Sequence, residues 1–188
     1  MMSFMNMKRW LLALAFLLVF SISSDGQIQN RFLGLEFGEH YAFSGIGPKI
    51  GGNWEDIQIN STDEIFCYRI TFGGIRWNFA YFYFYNPDKS RYSGRLYEVV
   101  FNQNYRVKES CYNAYDLLHS ALSEKYGTGN TEKGETYIET YWEDGERCCW
   151  LSAELAESKG GELYWYLDLS YSDDSLSALV EAEENNEL

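Results

Sequence analysis

Histidine is scarce in this chain: His40 and His119 are the two among 188 residues. They form no H-E-x-x-H or H-x-x-x-H pair, and the cysteines form no C-x-x-C, so a zinc site has no local signature. No G-x-S-x-G nucleophile elbow occurs either. The glycine-rich stretch "SGIGPKIGG" lacks the Lys-Ser/Thr ending of a phosphate loop. Its Pro48 also blocks the helix start that would create an anion site. A Cys–His nucleophilic pair using His119 is not expected, because oxidation would claim the thiols first. No cofactor is implied. Abundant Asp and Glu leave room for a glycosidase-like carboxylate pair, but no spacing singles one out.

Positive charge is short as well. Fifteen Lys and Arg face 28 Asp and Glu, for a net charge of −13. Such a surface repels phosphate backbones, so nucleic acid is a poor partner.

Long hydrophobic runs are missing beyond the first. Trp10 to Ile22 is uncharged and mostly apolar, and its 13 residues are too few for a helix to span the ~30 Å hydrocarbon core. Lys8 and Arg9 precede the run, and Ser21, Ser23, Ser24 and Gly26 follow it. This is the layout of a cleavable secretory signal over residues 1–26. Residues 27–188 then form a single domain, secreted or periplasmic, with no transmembrane anchor after cleavage. No cysteine near the cleavage region suggests a lipid anchor. Asn60 opens a formal N-x-S/T glycosylation sequon.

What the chain has in quantity is aromatics: 16 Tyr, 12 Phe and 6 Trp. "WNFAYFYFYN" concentrates them. By parity, Trp77, Phe79, Tyr81, Tyr83 and Tyr85 share one face of a strand, and Ala80, Phe82 and Phe84 share the other. The last strand, "ELYWYLDLSYS", turns Leu163, Trp165, Leu167, Leu169 and Tyr171 inward and leaves Tyr164, Tyr166, Asp168 and Ser170 outward. In "RCCWLSAELAE", Cys149, Leu151, Ala153 and Leu155 point inward, and Cys148, Trp150 and Ser152 outward. Tyr81, Tyr83, Tyr85, Trp150, Tyr164 and Tyr166 are therefore candidate ligand-binding residues on one outer face. Amphipathic rings of this kind stack on sugars or make protein contacts at little entropic cost. The competing reading is a covered face stabilised by cross-strand aromatic pairs.

Further strands are expected at "RFLGLEFGEH", at "IFCYRITF" with Phe66, Tyr68, Ile70 and Phe72 on one side, and at "RLYEVVFNQNY" with Tyr97, Val99 and Phe101 on its apolar side. The stretch "VKESCYNAYDLLHSALSEKYG" instead carries a helical stripe through Cys111, Ala114, Tyr115, Leu118, Ala121, Leu122 and Tyr126, ending at Gly127. Asp144-Gly145 is a two-residue hairpin signal. A short acidic helix closes the chain. The expected fold class is α+β: a single antiparallel sheet of about six strands, one long helix packed across a face, and a short C-terminal helix.

Four cysteines in an oxidising compartment read as two disulfides. Cys111 and Cys149 lie on inward positions, and Cys67 and Cys148 on the opposite parity from their strands' apolar residues. The expected bridges are Cys111–Cys149 and Cys67–Cys148.

The ordered phrases "FLGLEFG", "GRLYEVVF", "LLHSALSEKYG" and "LYWYLDLSYSDDSL", with the aromatic strand and a Trp-containing hairpin between them, resemble a broad group of small exported bacterial proteins of unknown function. The resemblance spans Phe32 to Val180. It implies a small exported α+β module of the inhibitor-like or envelope-associated kind, and no catalytic residues. The chain departs from that group in placing a glycine-rich loop where a helical stretch usually follows the opening strand. Two functions follow as expectations: an exported non-catalytic protein that binds a protein or glycan, or a secreted hydrolase acting on glycans.

Overall fold

The structure is a computed structural model, and it describes residues 27–50, 57–59, 63–89, 92–158 and 160–186. The leader assigned to residues 1–26 and the sequon at Asn60 lie outside the described residues.

The order of elements is β1 (Arg31–Phe32), β2 (Leu35–Glu36), β3 (His40–Ala42), a single 3₁₀ turn, α1 (Ile46–Ile50), β4 (Ile57–Ile59), β5 (Glu64–Tyr68), β6 (Thr71–Phe72), β7 (Ile75–Arg76), β8 (Phe79–Tyr85) and β9 (Ser93–Tyr105). Then come α2 (Lys108–Tyr126), β10 (Asn130–Lys133), β11 (Tyr137–Glu143), β12 (Arg147–Glu157), β13 (Leu163–Asp173) and α3 (Asp174–Asn186). Nine strands form one antiparallel sheet in the order β10-β11-β12-β13-β9-β8-β5-β4, with β3 also paired to β9. β1 with β2, and β6 with β7, make two further two-stranded sheets.

The architecture is therefore mostly β, and the expected α+β fold with a single sheet of about six strands is wrong. The missed strands explain the error. β10 is Asn-Thr-Glu-Lys, exposed at every position, so it has no apolar alternation to read. β3 and β4 are three-residue strands in a stretch whose glycines and Pro48 read as loop. Both gain order from their neighbours rather than from their own propensity.

One face of the sheet, the inner one, holds the core. A single rung runs Cys67–Ala80–Phe101–Leu169–Leu151–Thr140 across six strands, and all six are buried. The next inner rung runs Ile65–Phe82–Val99–Tyr171–Cys149. Helix α2 covers the β12–β13 side of this face, with Cys111, Tyr115, Leu118 and Leu122 buried. Tyr115 and Thr140 join their hydroxyls at 2.5 Å beneath it. The N-terminal segment covers the rest: Phe32 packs on Tyr171 with ring centroids 4.8 Å apart, and Phe43 on Phe84 at 4.7 Å. Phe72, from the β6–β7 hairpin, stacks flat on Phe101 at 4.3 Å.

Two parity assignments change. β5 places Ile65 and Cys67 inward, and Phe66 and Tyr68 outward, the reverse of the expected sides. In β9 a register shift occurs opposite Tyr83 and Phe84, where Glu98 pairs with Tyr83 and Leu96 with Phe84. Tyr97 is the extra residue of this bulge, so Leu96, not Tyr97, joins Val99 and Phe101 in the core. Trp77 precedes β8 and escapes its alternation. It is fully buried, packs on Phe101 at 5.6 Å, and donates its indole N–H to the Phe72 carbonyl. The Asp144 turn also differs. It has three residues, with positive φ at Gly145 alone, and the Asp144 carboxylate accepts the Glu146 and Arg147 amides.

Candidate functional site

The outer face is built by the alternate residues of the same strands. Tyr81 lies opposite Val100, which lies opposite Ser170, then Trp150, then Tyr141. The next rung runs Tyr68–Phe79–Asn102–Asp168–Ser152–Glu139. Beyond it stand Asn104, Tyr166, Glu154 and Tyr137. Tyr83 pairs with Glu98 on the opposite side, and Tyr85 follows it. All six candidate rings, Tyr81, Tyr83, Tyr85, Trp150, Tyr164 and Tyr166, share this face.

They do not form one cluster. From Tyr85 to Tyr164 the face spans ten residue steps, roughly 33 Å. Tyr81 and Tyr83 stack 6.2 Å apart with rings nearly parallel, and Phe66 packs against Tyr81 at 4.8 Å. Tyr164 and Tyr166 make an edge-on pair at 6.4 Å near the other end. Trp150, on the Tyr81 rung but three strands away on β12, stands apart from both groups and donates its indole N–H to Glu139 at 3.1 Å.

Helix α3 crosses one end of the outer face. Its Glu183 accepts the Tyr85 hydroxyl at 3.0 Å, and Leu176 is buried. Asp173 caps the helix by accepting the Leu176 amide. Tyr85 is thus committed to a structural contact, and Tyr83 lies half-buried next to it. Burial, with Glu64 and Glu98 close by, raises the Tyr83 phenol.

Between the aromatic groups lies a polar floor that residue-type patterning did not single out. Asn102 donates to the Asp168 carboxylate at 2.5 Å. Asp168 is mostly buried; that burial, with Glu154 adding repulsion, pushes its carboxyl up to about 6 despite the Asn102 bond. Ser152, 3 % exposed, sits directly between Asp168 and Glu139, and its hydroxyl has no partner within the protein. Glu98 accepts Ser170 at 3.2 Å and is raised by burial. The available signal was parity: Asp168 interrupts the outward list of a strand that is otherwise aromatic or small.

The acids of this floor have definite spacings. Glu98 and Asp168 are four residue steps apart, about 13 Å, too far for a glycosidase pair. Glu154 is the diagonal neighbour of Asp168, at about 7–8 Å between backbones. Among the described residues no group of three or more His, Cys, Asp and Glu could hold a metal ion.

Neither expected disulfide is formed; among the described residues the four cysteines are unbridged. Cys67 on β5 and Cys148 on β12 are four strand spacings apart, about 19 Å. They also face opposite sides, because Cys67 opposes buried Ala80 and Cys148 opposes Ser172. The Cys148 thiol instead meets the Ser172 hydroxyl at 2.8 Å. Cys111 does lie inward, but its thiol donates to the Tyr166 carbonyl at 3.6 Å. Tyr166 opposes Glu154, five residues along β12 from Cys149, or about 17 Å. Both distances exceed what a disulfide bridges. Burial, with Asp168 adding to it, pushes the Cys111 thiol up to about 12.

His119 takes no part in the aromatic face, whereas His40 shares the rung of Arg95 and Tyr85 at its end. His119 is packed between Tyr115 and Trp142, each 5.7 Å away. His40 is exposed and lines two shallow depressions of roughly 320 and 470 Å³ near Arg95 and Lys49.

Comparison with protein-family models, with curated proteins and with solved structures finds no match to this chain.

Proposed function

We propose that this is an exported, non-catalytic protein, secreted or periplasmic, that binds a glycan chain along the outer face of its sheet. The observation that carries the reading is the sharing of one face by Tyr81, Trp150, Tyr164 and Tyr166 around a floor of amide, hydroxyl and carboxylate groups. Rings supply flat apolar area for sugar faces, and the floor supplies acceptors and donors for hydroxyls. An extended face suits a chain ligand better than a small molecule. Export is supported by the leader layout around Lys8, Arg9 and the run Trp10 to Ile22.

The test is binding of the mature domain to a panel of immobilised oligosaccharides. Trp150→Ala and Tyr166→Ala should each weaken the best ligand about tenfold or more, which is ~1.4 kcal/mol, with the fold retained by circular dichroism. Unchanged affinity in both folded variants sinks the reading.

A hydrolytic reading has one observation in its favour: Asp168, its carboxyl pushed up to about 6, diagonal to Glu154. Release of reducing ends from the bound oligosaccharide, abolished by Asp168→Asn and by Glu154→Gln, would establish it in place of simple binding.

A further inference from the structure

The outer face is one-sided in charge as well as in aromaticity. Its central strand positions carry Glu64, Glu98, Glu139, Glu154 and Asp168, and among the described residues of those rungs no Lys or Arg faces them. The cations stand at the two ends: Arg95 opposite Tyr85, and Arg106 over the Tyr164 ring at 5.9 Å. An anionic chain would meet repulsion along the whole middle of the face, and a neutral one would gain nothing from it.

Three of these acids converge. Asp168 and Glu139 each lie directly opposite Ser152, so their backbones are two strand spacings apart, about 9.5 Å. Glu154 follows two residues along β12 on the same side. Trp150 flanks Ser152 on the other side, with its indole already held by Glu139, and Tyr166 opposes Glu154. The Ser152 hydroxyl in the middle is sealed in the floor without a partner. A buried hydroxyl left unpaired costs about 1–3 kcal/mol, and this one has both a donor and acceptor positions unused.

We infer that the glycan bound by this face carries free amino groups, and that one sugar ammonium is held between Asp168, Glu139 and Glu154, against Trp150 and Tyr166. This rests on the glycan reading above and narrows it to de-N-acetylated amino sugars. An ammonium supplies three donors to acceptors that have none to spare, and aromatic faces beside it add cation–π attraction. The acetamido form brings no charge and one donor, and leaves the carboxylates facing one another.

The same arrangement predicts a pH signature. The ionisable groups that bear on Asp168 are Glu154 from the neighbouring strand β12, Tyr81 from β8 and Cys111 from α2, with Glu139 on the same rung two strands away. Of these, Asp168 is the one held near 6. A cation beside it favours its ionised form, so binding near pH 6 should release a proton. Affinity should therefore rise between pH 5 and pH 7.

The experiment is calorimetric titration of the mature domain, at about 150 mM salt to screen general charge attraction. The probes are a glucosamine oligomer, the matching N-acetylglucosamine oligomer and a lysine trimer. The glucosamine oligomer should bind about tenfold more tightly than the acetylated one. Asp168→Asn and the exposed Glu154→Gln should each cut that ratio to about threefold or less. Buffers of different ionisation enthalpy should show proton release at pH 6. Equal binding of both oligomers overturns the inference while the glycan reading stands. A lysine trimer binding as tightly as the glucosamine oligomer overturns it in favour of charge alone. Binding of neither oligomer overturns both readings.

Discussion

The two faces of the sheet are made by the same strands, and β8 shows how differently they are used. Inward it presents Ala80, Phe82 and Phe84, none more than 1 % exposed. Outward it presents Phe79, Tyr81, Tyr83 and Tyr85, all half-buried. The phenylalanines lie where a hydroxyl would find no water. The tyrosines lie where one can reach water or a carboxylate, as Tyr85 reaches Glu183. The tyrosine–phenylalanine split in the sequence is thus a record of which side is dry. The inner face carries stability through close packing; the outer face holds aromatics and acids together, at an electrostatic cost that Asp168 shows most clearly.

The largest effect should come from breaking the inner face. Trp77→Ala removes a fully buried indole and its bond to the Phe72 carbonyl. It should destabilise the fold by about 3–5 kcal/mol in urea titration. A loss below ~1 kcal/mol would show that the β6–β7 hairpin does not seal the core.

Next is the pH dependence of the outer face. Asp168 is raised in the folded protein to about 6, so its protonated form favours folding. That contribution is complete below the unfolded value near 4 and is lost as pH rises through 6. It is on the order of 2–3 kcal/mol for a shift of about two units. Asp168→Asn should flatten the stability profile between pH 4 and 7. Asp144 acts in the opposite sense. Burial opposes its ionisation, but the amides of Glu146, Ile28 and Arg147 outweigh that and hold it below its usual range. Its contribution is present above its unfolded value and fades as pH falls through the folded one. Above the unfolded carboxylate range Asp144 has little left to add, so stability should fall from about pH 4 to pH 7 as the Asp168 contribution is lost, and a profile rising over that window would contradict the assignment.

A smaller effect on stability is expected from the binding face itself. Tyr166→Ala should cost no more than ~1 kcal/mol, the scale of one cross-strand pair, in contrast with Trp77→Ala. If the two losses are equal, the outer rings are core after all and the contrast between faces collapses.

The smallest perturbation is chemical. In native protein a thiol reagent should modify half-buried Cys148 first, while Cys67, Cys111 and Cys149, all buried, wait for unfolding. Denatured protein should show four thiols without reduction. Faster labelling of Cys67 would place β5 the other way round.

The features read correctly from sequence were those with long, uninterrupted periodicity. The inward list Trp165, Leu167, Leu169, Tyr171 in β13 and the outward list of β8 hold in the structure, because eleven and seven residues of regular strand leave parity no room to slip, while Leu163, also expected inward, is exposed at the strand's start. Parity failed where it was anchored on aromatic residues that happen to face outward. In β5, Phe66 and Tyr68 looked like the inner side and face outward, Phe66 buried among outer rings; Ile65 and Cys67 face inward. That reversal put Cys67 on the wrong side and with it the Cys67–Cys148 bridge. The polar strand β10 and the short strands β3 and β4 were illegible because pairing partners, not their own side chains, define them. The acidic floor stayed hidden for a related reason: Asp168, Ser152 and Glu139 become neighbours through the register of three strands, which no one stretch of sequence contains.

The order in which the core can close follows from the N-terminal segment described above. Phe32 meets Tyr171, and the Ile28 amide is held at 2.7 Å by the Asp144 carboxylate. The first apolar residues of the domain are thus made long before their partners. On a chain synthesised from its N-terminus, Ile28 waits for Asp144 and Phe32 for Tyr171, so this end of the core stays open until β13 has been made. Contacts of such sequence separation form slowly, and exposed apolar segments of waiting chains associate with one another. The last strand is therefore the timing element of the fold. A chain cut short before Leu163 would keep most of its apolar N-terminal segment, have nowhere to bury it, and aggregate rather than fold in part.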